Sequence, residues 1–165
     1  MPDTSFPRSV ETVRAALVAA GASGAESIRH IPDGARTAAE AAAALGVDVG
    51  AIANSLVFVA VRGDESEPIL VMTSGGHRVD TKALAERIGV DKIERADPDT
   101  VKTATGQVIG GVAPVGHPAP LRTYVDPVLE RFPQLWAAAG HSHAVFPLTY
   151  EELVRLTGGA VVAVD

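Results

Sequence analysis

The chain has no cysteine, so it forms no disulfide, offers no thiolate nucleophile and supplies no cysteine-ligated zinc. Aromatic side chains are scarce at 4% of 165 residues, while 47% are hydrophobic, so the core must be built mainly from Ala, Val, Leu and Ile. Excess positive charge is lacking too. With 14 Lys and Arg against 20 Asp and Glu the formal charge is −6, which argues against an extended phosphate-binding surface but leaves room for a small basic patch. No apolar run is long enough to span a bilayer, because the stretch from Ala41 to Val61 is broken by Gly46, Asp48, Gly50 and Asn54. Met1 to Val10 contains Pro2, Asp3 and Pro7 and lacks the apolar centre of an export signal. Together with the missing cysteines this fits a reducing cytoplasm. Repeats, linkers and low-complexity tracts are also missing, so residues 1–165 read as one domain with a large enough core to stand alone.

What is present centres on Gly110-Gly111-Val112-Ala113-Pro114-Val115-Gly116-His117-Pro118. Three glycines, two prolines and a histidine in nine residues cannot form an ordinary helix or a central strand. One reading is a tight corner between strands. The other is a rigid cradle whose N–H groups hold a carbonyl or a developing oxyanion, with His117 at its rim.

The flanking elements follow from local signals. Ser9 is placed to cap a helix carrying Val10, Val13 and Leu17 on one face, ending near Gly21. Ser27 to Ile31 reads as a short strand, and Thr37 with Glu40 as a capping box for a helix stopped at Gly46. Asp48 caps a short turn that feeds the apolar runs Ser55–Val61 and Pro68–Thr73, which pair most simply as an antiparallel hairpin. Asp80 caps a helix closed by Gly89, and Asp97-Pro98 opens another that ends at Gly106. Gln107 to Ile109 and Leu121 to Val125 read as strands on either side of the Gly/Pro loop, and Pro127 to Arg131 as a helical turn. Leu135 to Ala139 and Ala144 to Leu148 read as strands joined at Gly140-His141-Ser142-His143, followed by a helix with a Thr149/Glu152 box and a last strand, Ala160 to Val164. Strands and helices mix without strict alternation, so the expected class is α+β, with a curved, mixed, barrel-like sheet flanked by helices.

Several chemistries can be set aside. There is no phosphate-binding loop with Lys-Ser/Thr, and the glycines near 106–116 lack dinucleotide-binding spacing. Gly140-His141-Ser142-His143-Ala144 looks like a serine nucleophile elbow, but a strand follows where an elbow needs a helix. His77, His117, His141 and His143 invite a metal site, yet no carboxylate lies in the same turn to orient an imidazole, so no metal and no cofactor are expected. His30, beside Pro32, reads as structural.

The order of the Thr37-Ala38-Ala39-Glu40 helix start, the Ile52-Ala53-Asn54-Ser55-Leu56-Val57-Phe58 strand, Gly76-His77-Arg78-Val79-Asp80, the Gly110–His117 loop and Leu148-Thr149-Tyr150-Glu151-Glu152-Leu153 resembles the YbaK/ProX family of aminoacyl-tRNA editing domains. The likeness runs from about Ala20 to Val164 and leaves the N-terminal helix, residues 1–20, as a variable addition. It implies a stand-alone deacylase that hydrolyses the ester of a mischarged tRNA. The implied partners are the tRNA acceptor end and, as a second, an aminoacyl-tRNA synthetase. Carried over to this sequence, the likeness makes Asn54, Gly110, Pro114 and His117 the candidate catalytic positions. Gly111, Val112, Ala113, Val115, Gly116, His77, Gly140 and His141 become candidate substrate contacts. Active members of the family usually carry lysine where this chain has Asn54, and an uncharged amide cannot neutralise a developing anion. The alternative is therefore a non-catalytic binder of the aminoacyl end or a related small molecule. For His117 the choice lies between a base that positions water and a hydrogen bond that locks the loop.

Overall fold

The computed structural model of the chain describes residues 6–165. The expectation about an export signal rests partly on residues 1–5, which lie outside the described residues. Two long strands, β2 (Ile52–Arg62) and β3 (Glu65–Ser74), form the central antiparallel hairpin, with ten consecutive pairs from Ala53↔Ser74 to Arg62↔Glu65. Their alternation sends Ala53, Val57, Leu70 and Met72 into the main core, and Phe58, Ala60, Ile69 and Val71 into a second core on the other face.

Further strands extend the hairpin on both sides. Along β3 runs β5 (Arg122–Val125), parallel, and along β5 runs β8 (Ala160–Val161). On the other edge of β2 lie two strands in succession: β6 (Leu135–His141) pairs parallel at Ile52 and Ala53, while β4 (Lys92–Arg95) pairs antiparallel at Phe58 to Val61. Outside β6 come β7 (Ala144–Leu148) and β1 (Arg29–His30), both antiparallel to their neighbours. The eight-stranded sheet is mixed as expected but open, with β1 and β8 at its ends.

Among the described residues five helices flank it: α1 (Arg8–Ala19), α2 (Ala38–Leu45), α3 (Thr81–Ile88), α4 (Pro98–Thr105) and α5 (Tyr150–Thr157). Asp80, Asp97 and Thr149 each accept a hydrogen bond from a first-turn N–H, and Thr149 with Glu152 completes a reciprocal box. Only half of the Thr37/Glu40 box forms, because the Glu40 carboxylate accepts from the Thr37 hydroxyl while the Glu40 N–H donates to Thr37 Oγ1. Helix α1 starts two residues earlier than the Ser9 cap predicted: Pro7 occupies the cap position and its carbonyl accepts from Val10 and Glu11. Val10, Val13 and Leu17 are fully buried in the main core.

Two further expectations are corrected. Gln107 to Ile109 is not a strand, so the Gly/Pro loop joins α4 to β5. The Gln107 side chain, 2% exposed, is committed to bonds inside the loop, and Gly111 N–H donates back to Val108 O in a turn. The C-terminal strand is only Ala160–Val161.

Candidate active site

Between Ala53, the last β2 residue paired with β6, and Phe58, the first paired with β4, residues 54–57 have no strand on that edge among the described residues. Successive strand residues aim their N–H and C=O alternately at the two edges, so the split offers main-chain donors and acceptors to an occupant. A cleft of ≈ 450 Å³ opens along it. One wall is α2 with Arg36 and Thr37; the other is Arg95, Ala96, Val101, Ile109, Gly110 and Val112. Trp136 to Ala138 and the His141-Ser142 turn complete it, and among the described residues no Asp or Glu lines it.

Asn54 stands at the mouth of the split. It shares a face of β2 with Ile52, which packs in the α2 cluster, and with Leu56 and Phe58, which belong to the second core. It is the half-buried polar residue between two apolar clusters, and among the described residues its side-chain amide has no hydrogen-bond partner. Its hydrogen-bonding capacity is therefore available to the cleft.

The Gly/Pro loop divides into two parts. Gly110 and Val112 line the cleft. Gly110 has φ +88°, a left-handed backbone that favours glycine, and it lies beside Arg36, where an added Cβ would make an ordinary contact at 3.7 Å. Gly111 lies against the β6–β7 turn, where a Cβ would meet the His141 main chain at 2.6 Å. Ala113, Pro114 and Val115 are buried away from the cleft, Ala113 and Val115 in the main core, and Gly116 lies against Val13. The loop is built around Gln107, whose Oε1 accepts from Ala113 N–H at 2.6 Å and whose Nε2 donates to Val115 O at 3.1 Å. With Gly111 N–H given to Val108 and Ala113 N–H to Gln107, two amides of the supposed cradle are already committed.

The histidines separate. His117 sits outside the cleft, with Nε2 2.8 Å from Ala113 O; burial lowers its pKa, and that hydrogen bond partly offsets the effect. His77 is also elsewhere, bonded to the fully buried Asp126 and 3.4 Å from Asp165. Asp126 in turn accepts from Ser74 N–H and Val128 N–H, so this group ties β3 to the turn at Pro127–Arg131. Gly140, at φ +100°, packs against Ser9 O and lies outside the cleft. His141 does line it. Its Nδ1 accepts from His143 N–H at 3.1 Å, which leaves the proton of the neutral ring on Nε2. Burial first, then the neighbouring His143 and His30, lower its pKa. At neutral pH His141 is thus a hydrogen-bond donor at the cleft. Among the described residues, no three His, Asp or Glu side chains are arranged to hold a metal ion.

Of the residues singled out in the sequence, the fold gathers Asn54, Gly110, Val112 and His141 at one cleft, with Gly111 supporting it from behind. Arg36 and the free edge of β2 were not singled out, and Ser142, weighed only as the serine of a nucleophile elbow, also lines the cleft. Arg36 lies in an unremarkable turn, and a strand edge becomes visible only when its neighbours are known.

An open mixed sheet with flanking helices and a cleft beside a Gly/Pro loop make this a small α+β domain with a candidate ligand-binding site. The family model described as "Aminoacyl-tRNA editing domain" matches residues 32–156, and the chain belongs to that family. It is 34% identical over 117 residues to the "Uncharacterized protein YwhH" of Bacillus subtilis, covering 71% of this chain and 72% of that one. It is 28% identical to the "Putative Cys-tRNA(Pro)/Cys-tRNA(Cys) deacylase EbsC" of Enterococcus faecalis, covering 74% and 73%. A solved structure described as "a putative trans-editing enzyme for prolyl tRNA synthetase" superposes with a TM-score of 0.85 at 37% identity, covering 98% of this chain and 99% of the other.

Proposed function

We propose that this chain is a trans-acting aminoacyl-tRNA deacylase that hydrolyses the ester of a mischarged tRNA in the cleft beside Asn54. The observation that carries this reading is the unpaired edge of β2 facing Gly110 and His141 across a cleft of ≈ 450 Å³, in a chain of the editing-domain family. An aminoacyl ester is already activated, so hydrolysis needs its carbonyl held by preorganised donors and a water placed for attack. The β2 edge, the Asn54 amide and the Gly110 N–H supply donors, and His141 Nε2–H donates to the ribose side. Among the described residues no carboxylate lines the cleft, so the base is the substrate's own neutral α-amine, which takes the water's proton and returns it to the departing ribose oxygen, while the neighbouring ribose hydroxyl orients the water by a hydrogen bond. The walls of Ala38, Ala41, Ile52, Ala137 and Val145 accept an uncharged side chain and exclude larger ones, the logic of an editing sieve.

The second reading, a non-catalytic binder of the same aminoacyl end, is favoured by the uncharged Asn54. A deacylation assay over a panel of mischarged tRNAs separates the two. Hydrolysis of at least one member supports the enzyme. Binding without turnover across the panel supports the binder, and neither binding nor turnover discards both.

A further inference from the structure

His141 is also the first member of a row of rings that leads away from the cleft. Its ring centroid lies 5.2 Å from that of His143, His143 stacks on His30 at 5.8 Å with planes 23° apart, and His30 is 6.4 Å from Phe6. The Arg14 guanidinium lies over Phe6 at 5.3 Å, also paired with Glu11. In a chain with 4% aromatic residues, four adjacent rings that start from the cleft at His141 are a concentrated feature. The three histidines are not core packing, since His30 is exposed and His141 and His143 are only partly covered; Phe6 packs against the main core and backs the outer end of the row. The inner two are held in place by the main chain, His141 Nδ1 by His143 N–H and His143 Nδ1 by Ile31 O at 3.0 Å. Gly34 passes beside His143, where an added Cβ would press on the ring at 3.0 Å. The exposed Arg36 stands on the cleft wall nearby, among the described residues without a carboxylate partner.

We propose that this row is a stacking platform for the unpaired bases at the 3′ end of the tRNA, which leave the cleft along His141, His143 and His30. The proposal rests on the deacylase or aminoacyl-end reading above. Sequence-tolerant recognition of single strands uses flat rings on which successive bases stack, with a few cations for the backbone. It suits an acidic protein whose net charge of −6 argues against an extended phosphate-binding surface for the tRNA body. Fixed rings lose little freedom on binding.

The test is titration of the protein with the uncharged RNA tetranucleotide 5′-ACCA-3′, following the histidine Cε1–H signals by NMR. The expected result is saturable binding with upfield shifts of His30, His141 and His143, and unmoved signals from His77 and His117. His30→Ala, at an exposed site, should weaken binding on the order of tenfold, the value of one base–ring stack, and His30→Phe should restore it. In the hydrolysis assay the alanine variant should raise KM with little change in kcat. Binding that shifts none of the three rings, or a phenylalanine variant as weak as the alanine one, would overturn the platform. If wild-type protein hydrolyses a mischarged tRNA while these signals stay still, the platform falls and the deacylase stands. If it neither hydrolyses nor binds any member of the panel, the parent reading falls as well.

Discussion

Replacing Asn54 by lysine is the sharpest perturbation the site offers. The position is half-buried on the same strand face as Leu56 and Phe58, so a lysine stem can lie along apolar surface while its ammonium reaches the cleft. Among the described residues no Asp or Glu lines the cleft, so none of them neutralises the introduced charge locally. An ammonium about 4 Å from a full negative charge at a partly solvated site gains about 4 kcal/mol. An oxyanion is only partly charged in the transition state, and burying the ammonium opposes the gain, so about 3 kcal/mol is a reasonable net value. That corresponds to about a hundredfold rise in kcat, the size seen for a single oxyanion donor. Single-turnover hydrolysis of the best mischarged tRNA, comparing wild type with Asn54→Lys, gives the number directly. A folded variant that binds the tRNA as wild type does, yet hydrolyses it no faster, would refute the placement of Asn54 at the reacting carbonyl.

Gln107→Ala removes both bonds that hold the Gly/Pro loop and leaves the Ala113 N–H buried without a partner; it should cost about 1–3 kcal/mol and be seen as a lower denaturation midpoint. Gly111→Ala forces a Cβ to 2.6 Å from the His141 main chain, so thermal melting should fall by about 3–10 °C, with activity lost through displacement of Gly110 and His141. Stability should also fall as pH drops. His117 and His141 both have folded pKa values below the ordinary histidine value, so below that value the unfolded chain binds more protons and the native state is disfavoured. Urea unfolding at pH 7.5 and pH 5.5 should show the loss, and His117→Gln should reduce the difference; an unchanged difference in that variant would count against the burial of His117.

Much of the scaffold was legible because its signals are local. Asp97-Pro98, Asp80 and Thr149 with Glu152 mark helix starts through contacts within one turn, and Gly46, Gly89 and Gly106 mark ends through their left-handed conformation. The central hairpin followed from two apolar runs either side of a charged tip. What stayed hidden depends on distant partners. The split along residues 54–57 exists because β4 and β6, some forty residues apart in the chain, share one edge of β2 without meeting. The inward turn of His117 and the bridging side chain of Gln107 are tertiary choices that spacing does not encode, and they separate Pro114 to His117 from the cleft. The resemblance named the loop as a whole. Only the fold showed that its first residues face the cleft.

The most direct test of the account is a co-crystal structure with a nonhydrolysable 3′-aminoacylamido analogue of the terminal adenosine. The account predicts its carbonyl oxygen at hydrogen-bond distance from the free edge of β2 between Asn54 and Val57 or from Gly110 N–H, with the adenosine toward His141. An analogue held at any other surface, or a soak that leaves this cleft empty at saturating concentration, would contradict it.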